Sequence, residues 1–351
     1  MTELLERGAE ITKLARLLGV ERKELDHLDQ IPASALRAFR EQATDRLFAG
    51  DAGRLRRVAA ASKLVPVPLT VKVAQAAFGP LLCAATAGLL EPSHAVKVAA
   101  KCPTAFLADI AITLDPRRAA DVIAAVPTPL VVAVAKELIA RREHVTIGRF
   151  VSFLRPETLR AAVPEIPDDA DLLKVAFVME GKDRLDDLVD LARDRLPGLI
   201  RTAFERDLWA EALDLIGHLS VENVAELADL AAAQSDEVLT SLVRAAQDLP
   251  AWDALLPITA AMSGESLRRF AAIPAIQEPE VLAAIVLAAS RADLWDAVLP
   301  LAELVLPKSE ADLQRVLDLI AAVDRTDEIA ALVAAPTPEP KRGRPRGRSK
   351  T

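Results

Sequence analysis

The sequence contains no tyrosine, and aromatic residues make up only 3% of its 351 positions. A core so poor in rings must be built from Ala, Leu and Val, which suits closely packed helices more than a sheet sandwich. Cysteine is nearly absent too. Cys83 and Cys102 cannot form a disulfide framework in a chain of this length, so buried thiols in a reducing, cytoplasmic setting are expected. The opening Met1-Thr-Glu-Leu-Leu-Glu6 has neither the basic start nor the apolar centre of a signal peptide. Long hydrophobic runs are missing as well. The longest uncharged stretch, Val73–Leu90, has 18 residues and is broken by Gly79-Pro80. It is expected to form two buried helices meeting at that break, with lipid-surface attachment as the lesser alternative.

Signatures of catalysis are also missing. Glu180-Gly-Lys-Asp183 is too short for a phosphate loop and lacks its second glycine and hydroxyl. His27, His94, His144 and His218 stand apart, with no HExxH and no cysteine pair at zinc spacing. There is no Gly-x-Ser-x-Gly elbow. No enzyme activity, cofactor, metal or small-molecule substrate is therefore expected. Arg141-Arg142-Glu143-His144 has the composition of an anion site, but a solvated helix end is the simpler expectation. Paired acids such as Asp168-Asp169 and Asp186-Asp187 fall at expected helix starts, where carboxylates cap and complement the dipole.

What the sequence does contain is a repeat. Trp209, Trp252 and Trp295 are its only tryptophans and lie 43 residues apart. Trp252-Asp-Ala-Leu-Leu-Pro257 returns as Trp295-Asp-Ala-Val-Leu-Pro300. At the same offset Glu237–Ala246 matches Glu280–Ala289 at six of ten positions, and Ser220-Val-Glu222 returns as Ser263-Gly-Glu265. A fixed period of this size indicates stacked helical units, each needing a neighbour to cover its apolar face. Trp252 and Trp295 are accordingly expected to be buried in equivalent layers. The 23 prolines fall mostly between periodic segments and are expected to mark unit boundaries. The fold class expected is all-α, an α-solenoid of short helical repeats with a disordered basic C-terminal tail. Its divisions are 1–62 (short helices), 63–335 (the repeat domain) and 336–351 (linker and tail). Leu313, Val316, Leu317 and Ile320 form an apolar stripe near the end, and Ala321–Ala335 is expected to close the array.

Ile11–Leu28 resembles a helix-turn-helix, with Ala15 in the first helix, Gly19-Val20 at the turn, and Leu25 and Leu28 packing the second. Glu21, Arg22, Lys23 and the face near Asp26 and His27 would meet a groove, but they are charge-balanced and Glu24 and Asp26 would sit close to phosphates, which favours a structural corner over a DNA reader. Further on, Leu90-Glu-Pro92, Leu114-Asp-Pro116 and Leu154-Arg-Pro156 each begin a short helix. The fullest copy, Phe106–Pro127, resembles the helical repeat in the cytoplasmic N-terminal domain of MgtE-type magnesium transporters. That resemblance implies an architecture of short stacked helices. It does not carry transport, since no transmembrane part is recognisable, and no ion-binding position can be mapped by motif.

Charge is segregated along the chain. Residues 336–351 hold six basic residues and one acid, a balance of +5, which leaves the body at −13. Pro336-Thr-Pro-Glu-Pro340 is expected to stay extended and hold the tail away from the body. The tail resembles an AT-hook. Its core is Arg342-Gly343-Arg344-Pro345, flanked by Lys341, Arg346, Gly347, Arg348 and Lys350. Gly343 lets the backbone approach the floor of a narrow minor groove, and Arg342 and Arg344 can extend along it, where A·T tracts concentrate negative potential. The resemblance implies A·T-rich DNA as one partner and a nucleoid-associated place in a bacterial-type cytoplasm. The repeat body is expected to bind a protein partner. The alternatives are a scaffold whose tail only solubilises or touches RNA, and a protein of lipid surfaces.

Overall fold

In the computed structural model residues 2–305, 309–318 and 320–321 are described, and all regular structure among them is helical. The low aromatic content is matched by helices that approach on Ala, Leu and Val. One apolar core runs from Ala108 to Val316. Packing is serial. Gly79–Ala87 lies on Thr104–Thr113, which lies on Thr128–Ala140, which lies on Pro156–Ala162. The same habit joins Val221–Ala232 to Trp252–Ala261, and Trp252–Ala261 to Trp295–Val305. Each unit therefore buries its face against sequence neighbours, as a repeat requires.

Proline opens many of these helices, but not all prolines mark boundaries. Pro92, Pro116 and Pro156 occupy first-turn positions, where a missing N–H costs nothing. Asp115 caps its turn by accepting from the Arg117 N–H, and Glu91 does the same for Ser93. Pro257 and Pro300 instead lie inside Trp252–Ala261 and Trp295–Val305. A proline there removes a helical hydrogen bond and crowds the preceding turn. Because the two positions are equivalent in the repeat, the interior proline belongs to the unit.

The seam between units is polar and also periodic. Asp186 accepts from the Ser220 N–H at 3.0 Å and from Asn223 Nδ2 at 2.7 Å. One period later, Asp229 accepts from the Ser263 N–H at 2.9 Å. Ser220 and Ser263 in turn cap their own helices through the N–H groups of Asn223 and Ser266. Asp186 and Asp187 do lie in the first turn of their own helix, Leu185–Leu191, but the hydrogen bonds of Asp186 go to the next unit's cap. Asp168 does cap locally, accepting from the Ala170 N–H at 2.9 Å.

The tryptophans do not share one environment. Trp252 is 2% exposed and Trp209 6%, whereas Trp295 is 44% exposed. Trp209 donates to Ser241 Oγ at 2.9 Å and Trp252 to Gln247 Oε1 at 3.1 Å. The expectation for Trp295 is therefore corrected. It lies in the last of the three equivalent helices, where among the described residues no further unit covers its ring. The late apolar stripe is also split. Val316 and Ile320 pack on the core, while Leu313 and Leu317 are exposed.

Candidate functional site

The basic tail from Lys341 to Lys350, the Pro336–Pro340 spacer and most of the expected closing helix lie outside the described residues. The other sequence-based candidates can be placed. Ile11, Leu14, Ala15, Leu25 and Leu36 form a small core of their own, with Val20 and Leu28 against it. Gly19 takes the left-handed conformation (φ 70°) that the turn requires. The second element, Arg22–Leu28, is a 3-10 helix, capped by Glu21 and Glu24. Arg22 pairs with Asp26 at 3.0 Å and Lys23 with Glu21 at 2.6 Å. Their charges are answered locally, as a structural corner would have them. The Arg141–His144 cluster is answered too. Arg141 bonds Asp109 at 2.6 Å and His144 bonds Asp171 at 2.6 Å, while Glu143 takes Arg16 from the first helix.

The first helix is fastened to the body by a buried ionic cluster that no sequence motif announces. Glu10, 1% exposed, accepts from Lys13 at 3.0 Å, Arg37 at 3.1 Å and Arg40 at 3.1 Å. Arg40 reaches onward to Glu180 at 3.0 Å, and Lys13 and Arg149 stand 3.6 and 3.7 Å from that carboxylate. Burial opposes the Glu10 charge, but Lys13, Arg40 and Arg37 outweigh it and hold the carboxyl below its ordinary range. Glu180-Gly-Lys-Asp183 therefore acts as a structural clasp. Lys182 donates to the Phe177 carbonyl at 2.8 Å and lies 3.5 Å from Asp214. Burial lowers the Lys182 pKa and raises that of Asp214.

A second feature is apolar. A cavity of about 420 Å³ lies beneath Val67–Val73 and Gly79–Ala87, lined by residues such as Val98, Phe106, Ile110 and Phe150. A second cavity, of about 190 Å³, shares the wall residues Val131, Ala135, Ile147 and Leu154 with it. Cys83, Cys102, His94 and Ser62 are among the few heteroatoms on the larger wall. Both cysteines are free and half-buried. Burial first, then the neighbouring Cys102, pushes the Cys83 thiol up to about 11, so it is no nucleophile.

The helices over this cavity depart from expectation. The chain does break at Gly79, which has φ 69° and follows a π-helical turn at Ala74–Phe78. Yet the pair is not buried. Leu69, Phe78 and Leu81 are exposed, and only 17% of an 18-residue window within Val67–Ala87 is buried, at a mean hydropathy of 1.4. Val71, Ala74, Ala84 and Thr86 are its buried positions. The segment is long and apolar enough to cross a membrane by length and composition alone.

No family model, curated protein or solved structure matches this chain.

Proposed function

We propose that this protein is a non-enzymatic adaptor: a helical repeat body that carries a protein partner, held on A·T-rich DNA by its C-terminal tail. The observation that carries this reading is Arg342-Gly343-Arg344-Pro345, a minor-groove element with basic residues on both sides, at the end of an otherwise acidic chain. A body at −13 repels phosphate, so the attraction must come from the tail or from a local patch, and the tail holds the densest positive charge. In this reading the serial packing is a superhelix, the array is rigid enough to present a partner, and the protein sits on the bacterial nucleoid. A single hook binds weakly, so useful affinity requires several copies or a partner that also touches DNA. The test compares the full chain with one ending at residue 335 on a 30-base-pair A·T-rich duplex. The full chain should show a slope of log K against log salt of about −5, for six tail cations. The shortened chain should not bind. Equal binding by both would refute the reading.

A second reading is favoured by a different observation, the larger apolar cavity under an exposed apolar helix pair. Such a cavity has the lining for a single long acyl chain. A fluorescent fatty acid should then bind the full chain at one equivalent, and Ala135→Phe, on the wall of that cavity, should reduce that binding.

A further inference from the structure

Glu6, Asp214 and His218 come together where the first helix, Thr2–Leu18, meets Trp209–Ile216. One ligand atom from each lies within 4.8 Å of the other two. Asp214 and His218 are four residues apart, so the helix and the turn that ends it place them on one side, and Glu6 approaches from the opposing helix. A carboxylate cluster alone would mean little. What distinguishes this one is that Asp214 is 1% exposed and neither of its carboxylate oxygens has a hydrogen-bond partner; His218 Nε2 is likewise buried and unpartnered. A buried ion left in that state is costly unless something answers it. Lys182 answers it only in part. Its ammonium is 3.5 Å from Asp214 and donates instead to the carbonyls of Ala176 and Phe177. His218 and Glu6 stand 3.9 Å apart, too far for a hydrogen bond.

We propose that Glu6, Asp214 and His218 bind one divalent transition-metal ion of the zinc class, which clasps the first helix to the repeat body. Two carboxylate oxygens and one imidazole nitrogen make a ligand set suited to such an ion, with water completing the coordination. The nitrogen disfavours magnesium and calcium, which take oxygen ligands. The ion would supply the missing partner for His218 Nε2 and for one Asp214 oxygen, with its bound water as partner for the other. Lys182 would oppose it by charge and so weaken the site. An ion-pair network with no metal makes no such prediction about Lys182. The clasp is independent of the DNA reading and can be tested without DNA.

The experiment uses the full chain, stripped with chelator, titrated with zinc by calorimetry and with cobalt by visible absorption. One equivalent of zinc should bind, the cobalt complex should show ligand-field bands, and millimolar magnesium should not compete. Glu6→Gln and His218→Ala should each weaken zinc binding by more than about tenfold, since even outer partners of a ligand are worth that much. Lys182→Met should tighten it. His27→Asn should change nothing, because that residue lies outside the cluster. Asp214→Asn is set aside as the variant most exposed to misfolding. Absence of saturable zinc binding would overturn the proposal. So would zinc binding that survives Glu6→Gln and His218→Ala together, or magnesium competing on equal terms.

Discussion

Glu10 sits almost out of reach of water with three cations around it, and that arrangement fixes how the protein should respond to acid. Its carboxyl titrates below its ordinary range because Lys13, Arg40 and Arg37 overcome the opposing effect of burial. The folded state therefore binds a proton there less readily than the unfolded chain. The stability this group contributes is present above the ordinary glutamate range and is lost as pH falls through the depressed value. Asp214 works the other way. Burial raises its pKa, so the strain of its charge grows as pH rises above the ordinary aspartate range. Urea unfolding across pH should thus show the wild type losing stability in acid, and Glu10→Gln losing less over the same interval. Near neutral pH Glu10→Gln should itself cost on the order of 3–5 kcal/mol, because three buried or half-buried cations lose their partner. A change below about 1 kcal/mol would mean that the cluster is solvated.

At the scale of the helix, the middle and last copies of the repeat behave differently. Trp252 is enclosed and Trp295 is 44% exposed, so closely similar sequence does not give equal energy. Trp252→Ala should cost on the order of 3–5 kcal/mol, as for large aromatic truncations in cores. Trp295→Ala should cost less than half of that, read by the same denaturant titration. Equal costs would show that a neighbour covers Trp295 in solution. Asp229→Ala should also destabilise, by about 1 kcal/mol, since it removes the acceptor that joins two units at Ser263. The period and the capping serines could be read from the sequence because both are local, repeated signals. The inter-unit role of Asp186 and Asp229 could not, since it depends on which unit stacks on which. The exposure of the helix pair at Val67–Ala87 is not legible for a related reason. Uniform apolarity shows that a segment avoids water but does not show which side another helix covers.

On the scale of the whole molecule, a helical body with one buried seam of charge is followed by a tail of opposite sign. The class of the fold was legible in the low aromatic content, the Ala-rich periodicity and the proline starts. The clasp that fastens the first helix to residues near the middle of the chain was not. Glu10, Arg40 and Glu180, and likewise Glu6 and His218, are brought together by tertiary packing that no local spacing encodes. The tail is the reverse case, since Arg342-Gly343-Arg344-Pro345 is a compact motif and its proposed minor-groove role rests on the sequence alone. Lys350→Ala, expected to touch only phosphate, should weaken binding to every duplex alike and reduce the salt slope by about 1. Arg344→Ala should instead act through the groove and remove roughly 1–3 kcal/mol of preference. The most direct measurement is therefore the affinity of the full chain for an A·T-tract duplex against a G·C duplex of equal length, with and without an A·T-selective minor-groove ligand. The account predicts tighter binding to the A·T tract, lost in Arg344→Ala and reversed by the competitor. Equal affinity for both duplexes, untouched by the competitor, would contradict it.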